Sequence, residues 1–238
     1  MCTLAHYFEK AGIATVVIGL VRMHAEIIRP PRTLFVPFEL GRPLGSPNEP
    51  SAQREVLLAA LRLLELSGPS PILVDYPDLR EKSANLPWNP HFNLPSVLQS
   101  TIDAAALVRE FAAIRPVYER GKADRGRTTF GNSGLEPDAM VQLLCGLLGD
   151  SPLAGKEISS KVVRFAVDDL KTIYCEAATW SEPSLSSWQV GDWFWRRTIA
   201  GHVIIALRNK YSDSGNKGLQ LVSSRFFIPG EWLDELGL

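Results

Sequence analysis

Residues 31–50 read Pro31-Arg32-Thr33-Leu34-Phe35-Val36-Pro37-Phe38-Glu39-Leu40-Gly41-Arg42-Pro43-Leu44-Gly45-Ser46-Pro47-Asn48-Glu49-Pro50. Thr33 to Val36 is an apolar run of strand length, and Pro37 ends its ladder because proline has no N–H to donate. Four prolines and two glycines between Pro37 and Pro50 then fix a backbone that is neither helix nor strand. Ser51 opens a helical pattern over Ala52 to Leu66, with Val56, Leu57, Ala60, Leu63 and Leu64 on one face. A stiff loop therefore joins the carboxyl end of a strand to the start of a helix. In open α/β sheets that edge binds ligands.

The pattern continues outward in both directions. Residues 3–10 carry helical spacing (Leu4, Ala5, Phe8, Ala11), with Gly12 as its cap. Ala14 to Gly19 is a β-branched run, residues 21–28 hold one or two helical turns, and Ile72 to Asp75 reads as a third strand after Gly68-Pro69-Ser70-Pro71. Helix and strand alternate, which implies an α/β fold with a parallel sheet. The order begins with a helix rather than a strand. The expectation is a parallel sheet domain lacking its usual first strand, N-terminally incomplete, over residues 1–80.

Residues 81–134 read as a connector with one long helix, Ser96 to Glu119, kinked or ended near Pro116, then a basic, glycine-rich loop over 121–134. Residues 135–238 read as an all-helical C-terminal extension, with helices over 136–148, 159–179, 187–211 and 219–227.

The chain has 238 residues and a net charge of −1. That balance gives no reason to expect nucleic acid or an anionic membrane as a partner. No apolar run reaches the roughly 18–20 residues that span a bilayer. His6, Glu9 and Lys10 interrupt any signal-peptide core. Cys2, Cys145 and Cys175 are odd in number and lack motif spacing, which suits a reducing cytoplasm.

The loop from Gly41 to Gly45 reads in two ways. It can hold an anion on backbone N–H groups with Arg42 as a carboxylate partner, or it is a rigid turn with a solvated arginine. It matches neither the phosphate-binding loop nor the dinucleotide fingerprint. Cys145 and Cys175 sit among Leu143, Leu144, Leu147 and Ile173, so both are expected to be buried and slow to alkylate, with Cys2 faster near the terminus. His6, His24, His91 and His202 have no metal-site spacing, and no cofactor is called for. His91 is the histidine placed in a loop. Asp168-Asp169 reads as a solvated helix face. Trp193-Phe194-Trp195 reads as packing core. Lys122, Arg125 and Arg127 form a basic loop, either mobile or able to close over an anion.

Several stretches together resemble the selenoprotein B family, the substrate-specific components of glycine, sarcosine and betaine reductases and the related D-proline reductase subunit. They are Glu9-Lys10-Ala11-Gly12-Ile13-Ala14-Thr15-Val16, Pro30-Pro31-Arg32-Thr33-Leu34-Phe35-Val36-Pro37-Phe38-Glu39-Leu40-Gly41-Arg42-Pro43-Leu44-Gly45, Asn48-Glu49-Pro50 and Gln53-Arg54. The resemblance covers residues 3–75 and does not reach the helical half. It implies a cytoplasmic oxidoreductase that cleaves a carbon–nitrogen bond of an amino acid or N-methyl amino acid with a thiol or selenol nucleophile. Partner reductase subunits are implied with it. Phe38, Gly41, Arg42, Gly45 and Asn48 are the residues expected to meet the substrate. The family's redox motif falls before Met1, and Cys2 does not align with it, so the nucleophile is absent from this chain. The alternative is a non-catalytic binding or partner subunit that keeps the scaffold.

Overall fold

The computed structural model describes residues 1–38, 40–45, 49–66, 68–77, 87–95, 97, 101–149 and 159–238. The chain divides into two units, Met1–Glu81 and Lys82–Leu238.

The first unit runs α1 (Cys2–Lys10), β1 (Val17–Gly19), α2 (Arg22–Ile28), β2 (Arg32–Phe35), α3 (Pro50–Arg62) and β3 (Ile72–Asp75). Its three strands form one parallel sheet in the order β1-β2-β3. The α1 helix starts at Cys2 with Met1 in the cap position. It closes in a Schellman turn, because Gly12 at φ 80° lets its own N–H reach Glu9 O and the Ile13 N–H reach Phe8 O.

The β1 strand is shorter than the β-branched run suggests. Ahead of it, the Thr15 N–H and hydroxyl both donate to the Glu9 carboxylate, at 2.7 and 3.0 Å, instead of joining a ladder. Arg32 donates to the same carboxylate at 2.7 Å. These contacts, led by the Thr15 backbone N–H, hold the Glu9 carboxyl below its ordinary range.

Ile18, Leu34 and Val74 lie in register across the sheet, so the period of two puts them on one face. Leu34 and Val36 are buried with Val56, Ala60 and Leu63, the inward stripe of α3. Proline at the first position of α3 is favoured because its missing N–H has no partner to lose there. The helix stops at Arg62 rather than Leu66, in tight turns that include Leu64 N–H to Leu61 O.

Every described element of the second unit is a helix: α4 (Ala104–Arg125), α5 (Pro137–Leu148), α6 (Ser160–Ser181), α7 (Ser187–Arg197), α8 (Ile199–Ser212), α9 (Lys217–Phe226) and α10 (Gly230–Leu236). The segment expected as a connector contributes to the core of this unit. Leu107, Phe111, Ile114 and Tyr118 of α4 are buried in one cluster with Leu144 and Leu170. Burial on both sides of Pro116 carries the helix through it to Arg125. The start expected at Ser96 falls where residues 96 and 98–100 lie outside the described set. The observed cap is Asp103, which accepts from Ala106 N–H at 2.7 Å. Trp88 and Phe92 meet Trp193 edge-on at 5.5 and 5.9 Å.

The single helix expected over 187–211 is two. Thr198 is extended, at φ −111° and ψ 145°. Its hydroxyl donates to Phe194 O and accepts from Gly201 N–H. Gly201 is required there, since a Cβ would come within 2.2 Å of Phe194 O.

The new helix start is held from α4. The buried Glu110 carboxylate accepts from Ile199 N–H at 2.7 Å, Ala200 N–H at 2.9 Å and Tyr174 Oη at 2.9 Å. Burial nonetheless raises the Glu110 pKa above its ordinary value of 4.5. The folded state then binds the proton more tightly than the unfolded chain, so stability falls as pH rises from the ordinary value through the folded one. Urea unfolding of the wild type and Glu110→Gln across that window should show this slope in the wild type and lose its Glu110 component in the variant. Equal slopes in the two proteins would show that Glu110 titrates as it does when unfolded.

Candidate functional site at the carboxyl edge of the sheet

Parallel strands present their carboxyl ends together, so the segments after β1, β2 and β3 share one edge. Beyond β2 the ladder persists briefly, with Val36 N–H donating to Gly19 O and Tyr76 N–H to Phe35 O. The chain then turns. Gly41 and Gly45 both have positive φ, at 90° and 88°, a region that side-chain-bearing residues rarely adopt. Gly45 N–H donates to Arg42 O at 3.0 Å and closes the turn.

This turn folds back onto an aromatic pair. A Cβ on Gly45 would touch the Phe38 ring at 3.6 Å. The Phe38 and Tyr76 rings are 5.9 Å apart and tilted by 57°. The structure thus brings Phe38 and Gly45 together with Tyr76. It places Gly41 and Arg42 on the exposed side of the same turn. Asn48, also expected at the site, lies outside the described residues.

Sequence reasoning missed Tyr76 and a charged pair. Arg22, the first residue of α2, grips Asp75, the last of β3, through Nε and Nη2 at 3.1 and 3.2 Å. It also pairs with Glu26. The available signal was topological, since one residue opens the segment after β1 and the other closes β3. Both side chains are about half exposed, so the pair contributes at most about 1 kcal/mol. Its use is to fix charge positions along the edge. Chemically, the edge offers aromatic faces, backbone N–H groups in a glycine turn, a guanidinium and a paired carboxylate. That set suits binding a small ligand with a carboxylate.

Beside this edge, α3 and the end of β3 enclose a groove of about 430 Å³, lined by Glu55, Leu58, Ala59, Arg62, Val74 and Tyr76 among others.

The three acidic residues of α6 are occupied by structure. Asp169, expected on a solvated face, is fully buried. It accepts from the backbone N–H groups of Gly131, Asn132 and Ser133 and from the Ser133 hydroxyl, at 2.6–3.0 Å. Asp168 instead pairs with Lys171 at 2.8 Å. Glu176, two turns along α6, accepts from the Thr128 and Thr129 hydroxyls and the Thr129 N–H, and pairs with Arg125. The basic stretch expected as a mobile loop is therefore split. Lys122 and Arg125 end α4, and residues 128–133 are pinned to α6.

His6 and His202 each contact a backbone carbonyl, of Ile28 and Thr198, while His91 is exposed. Trp193, Phe194 and Trp195 are buried in the core. Among the described residues no three His, Cys, Asp or Glu side chains converge as a metal would need. No described helix is long and apolar enough to cross a membrane. No family model matches this chain, and no curated protein or solved structure shows significant similarity to it.

All three cysteines are free and half-buried, so Cys145 and Cys175 are less enclosed as residues than expected. Their thiols are nevertheless disfavoured as thiolates. Burial pushes Cys175 up to about 11 and also raises Cys145, whose Sγ approaches Ala104 O at 3.6 Å. At neutral pH that leaves Cys175 with about a hundredfold less thiolate than an ordinary cysteine. Native iodoacetamide labelling read by peptide mass spectrometry should modify Cys2 first and Cys175 last. Fast labelling of Cys175 would mark it as an activated thiol instead.

Proposed function

We propose that the Met1–Glu81 unit is a substrate-binding scaffold of the selenoprotein B reductase type. It takes a small amino acid or N-methyl amino acid at the carboxyl edge of its sheet. The observation that carries this reading is the turn with Gly41 and Gly45 at positive φ, folded onto Phe38 and Tyr76, with Arg42 between the glycines. In the sequence resemblance Phe38, Gly41, Arg42 and Gly45 are the residues expected to meet substrate, and Tyr76 joins them only through the fold.

Within this reading the roles divide simply. Arg42 binds the ligand carboxylate, and the aromatic pair shields the hydrocarbon part from water. The family reaction breaks a carbon–nitrogen bond with a thiol or selenol nucleophile, which this reading assigns to a source other than residues 1–238. The chain then acts as the binding member of a reductase assembly with partner subunits.

Glycine, sarcosine, betaine and D-proline share the carboxylate and test the reading by isothermal titration. At least one should bind. Arg42→Ala should weaken that binding by about 1.5–3 kcal/mol, the range for a hydrogen bond to a charged group. Folding stability should change by no more than about 0.5 kcal/mol, because Arg42 is exposed. Binding unaffected by the substitution, or no binding by any of the four, would remove this function from the edge.

A further inference from the structure

The α3 helix buries Val56, Ala60 and Leu63 against the sheet but leaves Leu57, Leu58 and Leu61 exposed at 44%, 37% and 53%. Next to that apolar surface, Glu55, Leu58, Ala59 and Arg62 line the groove against β3. Their spacing of i, i+3, i+4 and i+7 places them in one row along the helix. The row reads acid, apolar, apolar, base. Neither the Glu55 nor the Arg62 side chain has an ion-pair or hydrogen-bond partner among the described residues.

We infer that this face is the two-fold interface of a homodimer, with α3 packed antiparallel against α3 of a second copy. The argument is charge complementarity under symmetry. A two-fold axis crossing α3 between Leu58 and Ala59 sets each Leu58 against the partner's Ala59. The same operation sets each Glu55 against the partner's Arg62, and this happens twice because an isologous contact repeats itself. The small Ala59 lets two helices approach to the usual separation of about 8–10 Å. A parallel pairing in register would instead set Glu55 against Glu55 and Arg62 against Arg62. With a net charge of −1, long-range repulsion does not oppose self-association. The groove gives the incoming helix a wall, since Val74, 37% exposed, and Tyr76 lie across from the row.

Sedimentation velocity on the full chain, at concentrations from low to high micromolar, tests this directly. The wild type should show a reversible monomer–dimer equilibrium. Arg62→Glu and Glu55→Arg should each raise the dimer dissociation constant by about tenfold or more, since each sets like charges opposite one another twice. The double variant Glu55→Arg/Arg62→Glu should restore the dimer, because the pairs re-form with reversed sign. Far-UV circular dichroism of the single variants should match the wild type. A monomeric wild type would overturn the proposal. So would single variants that dimerise as well as the wild type, or a double variant that fails to recover.

Discussion

The central constraint on the first unit is that β2 is bonded on both sides by parallel neighbours. Leu34 faces Ile18 on one flank and Val74 on the other, so a slip of one residue would turn every side chain of β2 to the opposite face. Once that register is set, the direction of all three strands is set, and so is the edge where their carboxyl ends meet. Pro37 stops the ladder just past β2, and Gly41 and Gly45 supply the two positive φ angles that bring the chain back over Phe38. The glycine turn, the aromatic pair and the Arg22–Asp75 clamp are consequences of one central strand.

The helical unit follows a different rule, in which carboxylates act as acceptors for backbone N–H groups. Glu110 holds the first turn of α8 from a distance of 89 residues in sequence. Asp169 holds three consecutive N–H groups of the loop before α5, and Glu176 holds the preceding threonines. A buried carboxylate without partners would cost several kcal/mol, and three or four donors around each one offset that cost. Residues of this kind are often taken for catalytic acids. Here their oxygens are already occupied.

Much of this was legible in the sequence where a pattern is local. The β-branched and apolar runs located all three strands, the Pro and Gly punctuation located the loop after β2, and helical periodicity located α5 and α6 to within about two residues. Long-range choices left weaker marks. Thr198 looks like any threonine inside a helical stripe, yet its hydroxyl bonds to Phe194 O and Gly201 N–H where one helix ends and the next starts. Asp169 looks like half of a solvated pair until the loop at 131–133 closes on it. At the edge, Phe38, Gly41, Arg42 and Gly45 were named from residue type and resemblance, whereas Tyr76 and the Arg22–Asp75 pair depend on strand order.

The claim that ties these points together is that ligand binds where the three strands end. Amide chemical-shift mapping on the isotopically labelled full chain, titrated with betaine or glycine, tests it most directly. The account predicts progressive shifts at Gly19 to Val21, Phe38, Gly41, Arg42, Leu44, Gly45 and Tyr76, with the amides of Gly131 to Ser133 and Ile199 unmoved. Shifts confined to the helical unit, or none at millimolar ligand, would contradict it.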